Sequence, residues 1–301
     1  MKPGRASRTA EGVAAVRAAE ANRPPGERLF TDPYAKHFLR PVYRVLAELS
    51  RFSILRDFFL ALYDRRLPGA LGGILCRTCY IDDAVRDALR DGAEQVVILG
   101  AGFDSRAYRL PGIQRVRVFE VDHPDTQAEK RARLARVLDP FPSHVVFVPV
   151  DFDCDKLGDA LDAAGYRHDG KTFFIWEGVT GYLTAEAVDA TFRFVASASA
   201  PGSCMVFTYI HRGLLDGSAH FEGTAELIAF VRKAGEPFTF GLDPDELSGY
   251  LAARGLSLVE DIGSREYQAR YMTGQGPRAK VSPFTRAAIA RVSTPPPTAT
   301  R

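Results

Sequence analysis

Cysteine is scarce in this chain. Four residues in 301, Cys76, Cys79, Cys154 and Cys204, are too few for a disulfide framework at this length. Cys76 and Cys79 form a C-x-x-C, but no second pair and no neighbouring histidine completes a tetrahedral metal set. No metal is expected, and the pair reads as helix packing. An excess of one charge is missing too: Lys plus Arg number 39 against 37 Asp plus Glu, a net of +2, with the bases scattered. That balance supplies no electrostatic reason to expect nucleic acid or an anionic membrane as a partner. Nor is there a long hydrophobic run. The most apolar helical stretch, Phe52 to Tyr63, is short and carries Arg56 and Asp57, so it cannot span a bilayer. Met1 to Ala10 has charges with no apolar core behind it, unlike a secretory leader, and a cytoplasmic location is the expectation. There is no internal repeat, and the proline-rich tail from residue 294 reads as frayed.

Hydrophobic residues make up 46% of the chain, enough for a large core. Residues 8 to 91 read as helices. Pro24-Pro25-Gly26 stops the first, Asp32-Pro33 looks like an N-cap with proline in the first turn, Leu39 to Tyr63 continues helical, and Arg77 to Arg90 ends at Gly92. From residue 95 the period changes. Apolar runs at 96–99, 116–121, 145–150, 173–176 and 205–210 alternate with helical stretches at 125–137, 155–164 and 185–198. That alternation implies βαβ units and an α/β fold with a doubly wound, mostly parallel sheet of seven strands. Asp243-Pro244-Asp245-Glu246 should open a late helix, and 256–262 and 284–292 are the two final strands, although 285–292 also fits a helix. The expected organisation is an N-terminal helical region over 1–91, a core over 92–293 and a tail over 294–301.

In such a sheet, ligands bind at the carboxyl ends of the strands, near the point where strand order reverses. The first strand ends in Gly100-Ala101-Gly102, where the absence of a Cβ lets the backbone approach a ligand or simply makes a tight turn. The dinucleotide fingerprint wants a third glycine at 105, which is Ser105 here. The second strand ends at Asp122, 22 residues after Gly100, placed to take two ribose hydroxyls or to cap the helix behind Pro124. The third ends in Asp151-Phe152, an acid and a ring suited to an adenine, or again a cap. The fourth ends in Glu177, a carboxylate ringed by Phe173, Phe174 and Trp176 that is costly unless paired or hydrated. Acids gather where a pyrophosphate would want bases. A ligand with a ribose, an adenine and positive charge fits better, and S-adenosylmethionine has all three.

Seven stretches then stand in one order: SRTAEGVAAVRAAEA, RLFTDPYAKHFL, RTCYIDD, VILGAGFDSRAYRL, FEVDHPDTQAEK, VPVDF and WEGVTGYL. On these the chain resembles the leucine carboxyl methyltransferase-like family of S-adenosylmethionine-dependent enzymes, over roughly residues 7 to 265, and within it the bacterial branch that modifies small molecules. The resemblance implies a class I methyltransferase fold with a lid of N-terminal helices. It also implies that Arg77 holds the methionine carboxylate, Gly100 and Gly102 line the methionine end, Asp122 takes the ribose, Asp151 and Phe152 take the adenine, and Glu177 sits near the ammonium and sulfonium. The expected function is O-methylation of a carboxylate on a small-molecule or peptide natural product, with a phenol or other hydroxyl as the alternative. A nicotinamide-dependent oxidoreductase or a non-catalytic binding protein are readings of other classes. For the acceptor side, Tyr182 and Tyr209 are candidate hydrogen-bond donors or packing residues, and His211 a candidate base or a loop histidine. No catalytic residue and no oligomeric state follow from the sequence.

Overall fold

The computed structural model describes residues 8–152, 155–273 and 279–293; Cys154 and the proline-rich tail lie outside them. Four helices come first: α1 (Arg8–Ala21), α2 (Pro41–Leu49), α3 (Ser53–Arg66) and α4 (Ala70–Arg90). The expected single helix over 39–63 is broken at residues 50–52, where the Ser50 hydroxyl donates to the Ala47 carbonyl. Asp32 does cap, accepting from the amides of Tyr34 and Ala35 at 3.1 and 3.0 Å, but the helix it opens is one short 3-10 turn, Ala35–Phe38. α4 starts seven residues before Arg77. Gly69 turns the chain into it at φ +78°, where a Cβ would lie 2.6 Å from the Ser282 backbone.

The sheet then follows as β1 (Gln95–Leu99), β2 (Arg117–Asp122), β3 (Val145–Pro149), β4 (Thr172–Trp176), β5 (Cys204–Ile210), β6 (Leu256–Ile262) and β7 (Thr285–Val292). Strand order is β3-β2-β1-β4-β5-β7-β6, and β7 runs antiparallel between β5 and β6. The segment with two readings is therefore a strand: Ala287, Ala288 and Ala290 are small and fully buried between two neighbours, a setting in which pairing overrides alanine's helix preference. Order reverses between β1 and β4, with β2 and β3 on one side and β4 and β5 on the other.

Alternation along each strand divides the core. Val97, Leu99, Phe174, Trp176 and Phe207 face α7 (Leu157–Ala163), α8 (Ala185–Ser197) and α11 (Leu247–Ala252) through Leu161, Phe192 and Leu251. Val96, Ile98, Ile175 and Val206 face α4 and α12 (Ser264–Tyr271) through Tyr80, Ile81, Val85 and Tyr267. The remaining helices are α5 (Arg106–Arg109), α6 (Pro124–Leu134), α9 (Gly213–Asp216) and α10 (Thr224–Ala234). α4 therefore belongs to the layer that covers the sheet, although it falls within the N-terminal region drawn from sequence. The opening turn at 243–246 precedes α11, which begins only at Leu247. Cys76 and Cys79 lie in the buried side of α4, where burial pushes the Cys76 thiol up to about 12 and raises Cys79 as well, so neither is poised as a thiolate.

Candidate active site

Gly100, Gly102, Asp122 and Glu177 gather at the carboxyl edge beside the point where strand order reverses, while Asp151 and Phe152 follow β3 at the outer edge of the sheet. Gly100 takes φ +65°, and a Cβ there would sit 2.4 Å from a methyl of Val179. Gly102 takes φ +41°. The Ala101 amide continues the β1–β2 ladder to the Val121 carbonyl at 2.9 Å. This holds the turn against the end of β2. Asp122 is buried there, its carboxylate accepting from the amides of Gly102 and His123, the latter at 2.7 Å. Burial outweighs those two bonds and raises its pKa. His123 itself is positional: its Nδ1 accepts from the Asp125 amide at the start of α6. Asp151 is half-exposed, with His123 Nε2 3.8 Å from it, while Phe152 packs half-buried onto the core.

Glu177 has a different setting. Arg77 Nε donates to one carboxylate oxygen and Arg106 Nη1 to the other, each at 2.6 Å. Burial opposes its ionisation, but Arg106 and Arg77 overcome that and hold the carboxyl well below the usual range. Arg106 is fully buried and bonds Asp82 and Asp104 as well. Arg109 completes the cluster with paired bonds to Asp82 at 2.5 and 2.7 Å. Ser105, standing where a dinucleotide fold has glycine, donates to Asp32 at 2.7 Å and so ties the β1 turn to the N-terminal helical region. Arg17 on α1 donates to the Phe103 carbonyl and lies 3.6 Å from Asp32. Four arginines and four acids thus offset one another around the first turn. This network is what sequence reasoning missed: Asp32 reads as a cap, Arg106 falls inside one of the quoted stretches, and nothing in their spacing shows that these charges meet.

The residues present fit S-adenosylmethionine. Gly100 and Gly102 keep the turn after β1 tight, with Val179 filling the space where a Gly100 Cβ would stand. Arg106 Nη2 and Arg17 Nε are buried donors without a hydrogen bond to a described residue, although Arg17 Nε lies 3.6 Å from Asp32, and a carboxylate satisfies such donors. Arg77 uses only Nε on Glu177, leaving its terminal nitrogens without a bond to any described residue. Glu177, costly at a strand end unless paired, is charge-compensated by Arg77 and Arg106, and it positions Arg77.

Beside Arg77 opens a cavity of about 920 Å³ including its mouth. Thr9 and Val13 of α1, Tyr63 of α3, Ile74 of α4, Tyr182, Phe230 of α10 and Phe238 are among its walls. Burial pushes the phenols of Tyr63 and Tyr182 up to about 12, with Glu236 adding to the rise at Tyr182. Among the described lining residues, Arg77 is the one charged side chain, and there is no His, Asp, Glu or Lys. Tyr182 lines this cavity, with its ring 5.1 Å from that of Phe238. Tyr209 lines the cavity, but its hydroxyl is committed to Asp261 and Arg286 at 3.0 and 3.1 Å, which corrects its expected role as an acceptor donor. His211 is also corrected. It lies outside the lining, its Nδ1 accepts from the Gly213 amide at 3.0 Å, and its ring packs on Phe221. Tyr63 and Thr9 had no sequence signal, because each joins the site only when helices far away in the chain close over the sheet.

The comparisons with known proteins bear on this geometry. Residues 10–196 match the model of a family described as leucine carboxyl methyltransferase. A relative in Bacillus subtilis strain 168, YktD, provisionally named an S-adenosyl-L-methionine-dependent methyltransferase, is 33% identical over 189 residues, 62% of each chain. The match therefore spans less than two thirds of that protein. A relative in Mycobacterium sp. strain JLS, with the same provisional name, is 34% identical over 273 residues, 82% of each chain. A crystal structure from Thermobifida fusca, provisionally described as a methyltransferase, superposes with a TM-score of 0.57 at 17% identity, covering 97% of both chains, and shows likeness of fold.

Proposed function

Because the chain belongs to the leucine carboxyl methyltransferase family and is an S-adenosylmethionine-dependent methyltransferase, we propose that it O-methylates a carboxylate on a small molecule or peptide. The observation that carries the reading is the chemistry of the cavity wall: a single cation, the phenols of Tyr63 and Tyr182 that stay protonated at neutral pH, and no base among its described lining residues, the Glu236 carboxylate behind the wall being bonded to Thr9. A carboxylate, ordinarily with a pKa of about 4, is already ionised at neutral pH and needs no base, whereas a phenol, at about 10, benefits from one.

S-adenosylmethionine, when bound, supplies a methyl group already activated by its sulfonium. The rest falls to the chain's own residues. The phenols of Tyr63 and Tyr182 orient the acceptor carboxylate by O–H donation, while Arg77, whose terminal nitrogens would hold the cofactor's methionine carboxylate, adds positive charge beside it. The apolar wall from Val13 to Phe238 excludes water, which would otherwise compete as a nucleophile. An acceptor carboxylate, already ionised, would need no residue of the wall to take a proton from it. Alignment is the main contribution left to the protein, worth on the order of 7–11 kcal/mol at best.

The test pairs product chemistry with one variant. A methyl ester releases methanol in mild base and an ether does not. His211→Gln should leave the chemical step intact, with the rate flat from about pH 6 to 8, because a carboxylate acceptor is ionised throughout. A base-stable methyl product, or a rate that climbs steeply across that pH range, would overturn the carboxylate reading and favour a hydroxyl acceptor.

A further inference from the structure

The helices α2 and α3 are amphipathic with their apolar sides turned outward. In α2, Val42, Val45, Leu46 and Leu49 recur at i, i+3, i+4 and i+7, the spacing of a stripe that a globular protein ordinarily buries. Yet Val42 is 72% and Val45 58% exposed, and Ala47 alone of this helix is buried. In α3, Ile54, Leu55, Phe58 and Leu62 share one face, with Ile54 82% and Phe58 61% exposed, while Arg56 and Leu60 point inward. Tyr43 and Phe52 add two exposed rings. Apolar surface on this scale in a soluble chain marks an interaction site. The segments outside the described residues carry no large apolar side chain except Met1, so they are not its natural cover.

Charge selects the partner. Arg51, Arg65 and Arg66 are exposed and form no ion pair with a described residue; Arg51 stacks over Phe52 at 4.7 Å, and Arg65 and Arg66 close the end of α3. The exposed acids of the two helices are already engaged, Glu48 by Lys36 and Asp57 by Arg56. We propose that this face docks the protein on an anionic lipid surface, with the valines, Ile54 and Phe58 entering the apolar boundary and the three arginines meeting lipid phosphates and carboxylates. Two-fold pairing with a second copy is disfavoured, since it would bring a surface with surplus positive charge against itself. The net charge of +2, from which no membrane partner was expected, averages over the chain and does not describe this face. Among the described residues no helix is long and apolar enough to cross a membrane, so the contact is peripheral. α3 also runs into the cavity wall, where Tyr63 and, just past its end, Leu67 and Pro68 stand. A lipid surface would therefore present amphiphilic carboxylic acids beside the cavity; this consequence, unlike the docking, rests on the carboxylate reading.

The experiment is co-sedimentation of the full chain with phosphatidylcholine vesicles, with and without phosphatidylserine, alongside its mass in solution. The expected result is binding to the phosphatidylserine vesicles that weakens with salt. Binding should fall by about tenfold or more in a doubly substituted I54D and F58D protein, and by about tenfold or more in R65Q with R66Q. Affinity for S-adenosylmethionine should stay unchanged in both. Should the first variant fail to fold, the second, which alters only exposed charge, decides the matter. Absence of wild-type binding to either vesicle overturns the proposal. So does a wild-type dimer that I54D and F58D dissociate without any vesicle binding, because a second copy then covers the face. Vesicle binding without a base-labile methyl product would leave the docking standing and remove the carboxylate reading.

Discussion

β1 lies between β2 and β4, and beside the Gly100–Gly102 turn β2 ends in the buried Asp122 while the largely buried Glu177 follows β4. The two are handled in opposite ways. Asp122 has backbone amides for partners and no cation in direct contact, so desolvation dominates and its pKa rises. Glu177 lies between two guanidinium groups that outweigh desolvation, and its pKa falls. The difference shows what each can do. Asp122 keeps lone pairs for neutral donors such as ribose hydroxyls. Glu177 spends its charge on holding Arg77 and Arg106 in place. Residue type alone would have given the two acids one role.

The comparison breaks hardest at Arg106. Arg106→Ala strips the shared cation from Asp82, which is fully buried, and from the largely buried Asp104 and Glu177. The expected loss is about 3–5 kcal/mol of unfolding free energy, the cost of leaving buried charges uncompensated. Denaturant unfolding measures it, and a loss under about 1 kcal/mol would show the cluster to be hydrated rather than mutually supported.

A smaller effect is expected at the other strand end. Asp122→Ala removes an acceptor for two charge-assisted bonds of roughly 1.5–3 kcal/mol each. Calorimetry should find S-adenosylmethionine affinity reduced by about tenfold to a hundredfold in a folded variant. Unchanged affinity would return Asp122 to a purely structural role at the Gly102 turn.

The smallest effect sharpens the contrast through pH. Glu177 lies below its ordinary 4.5 in the native state, so in the window beneath that value the unfolded chain binds more protons. Its stabilisation is complete above 4.5 and is lost as the pH falls. Asp122 lies above its ordinary 3.8, so between 3.8 and its native value the folded chain binds more protons, and stability falls as the pH rises through that window. Over about pH 3 to 5, Glu177→Gln should therefore flatten the rise of stability with pH, while Asp122→Asn should steepen it. Unfolding free energies across that range read both slopes, and a change of the same sign in the two variants would remove the distinction.

Much of the fold was legible because its elements are local. The continuous apolar runs of β1, β4 and β5 and the alternating helices announce a parallel sheet, since a strand buried on both faces has no polar side. β7 stayed ambiguous because Ala287, Ala288 and Ala290 favour a helix in isolation; only neighbours on both sides make the strand. The break between α2 and α3 was missed because each side continues an apolar period. Tyr209 and His211 misled because a strand-end position fixes where the Cα lies and says nothing of the side chain's own partners, here Asp261 with Arg286 and the Gly213 amide.

The sequence by itself determined the order of strands and helices, the glycines at the end of β1 and the acids at the ends of β2, β3 and β4, because these depend on period, chain reversal and residue type within a few positions. Tertiary structure alone decided which charges meet. Arg77 reaches Glu177 across 100 residues of chain, Ser105 reaches Asp32 across 73, and Thr9, Tyr63 and Tyr182 come from separate helices and turns to wall one cavity. Such pairings carry no periodic signature. Their energies depend on burial and on distances of a few ångströms, which exist only once α1 to α4 have packed across the carboxyl edge of the sheet.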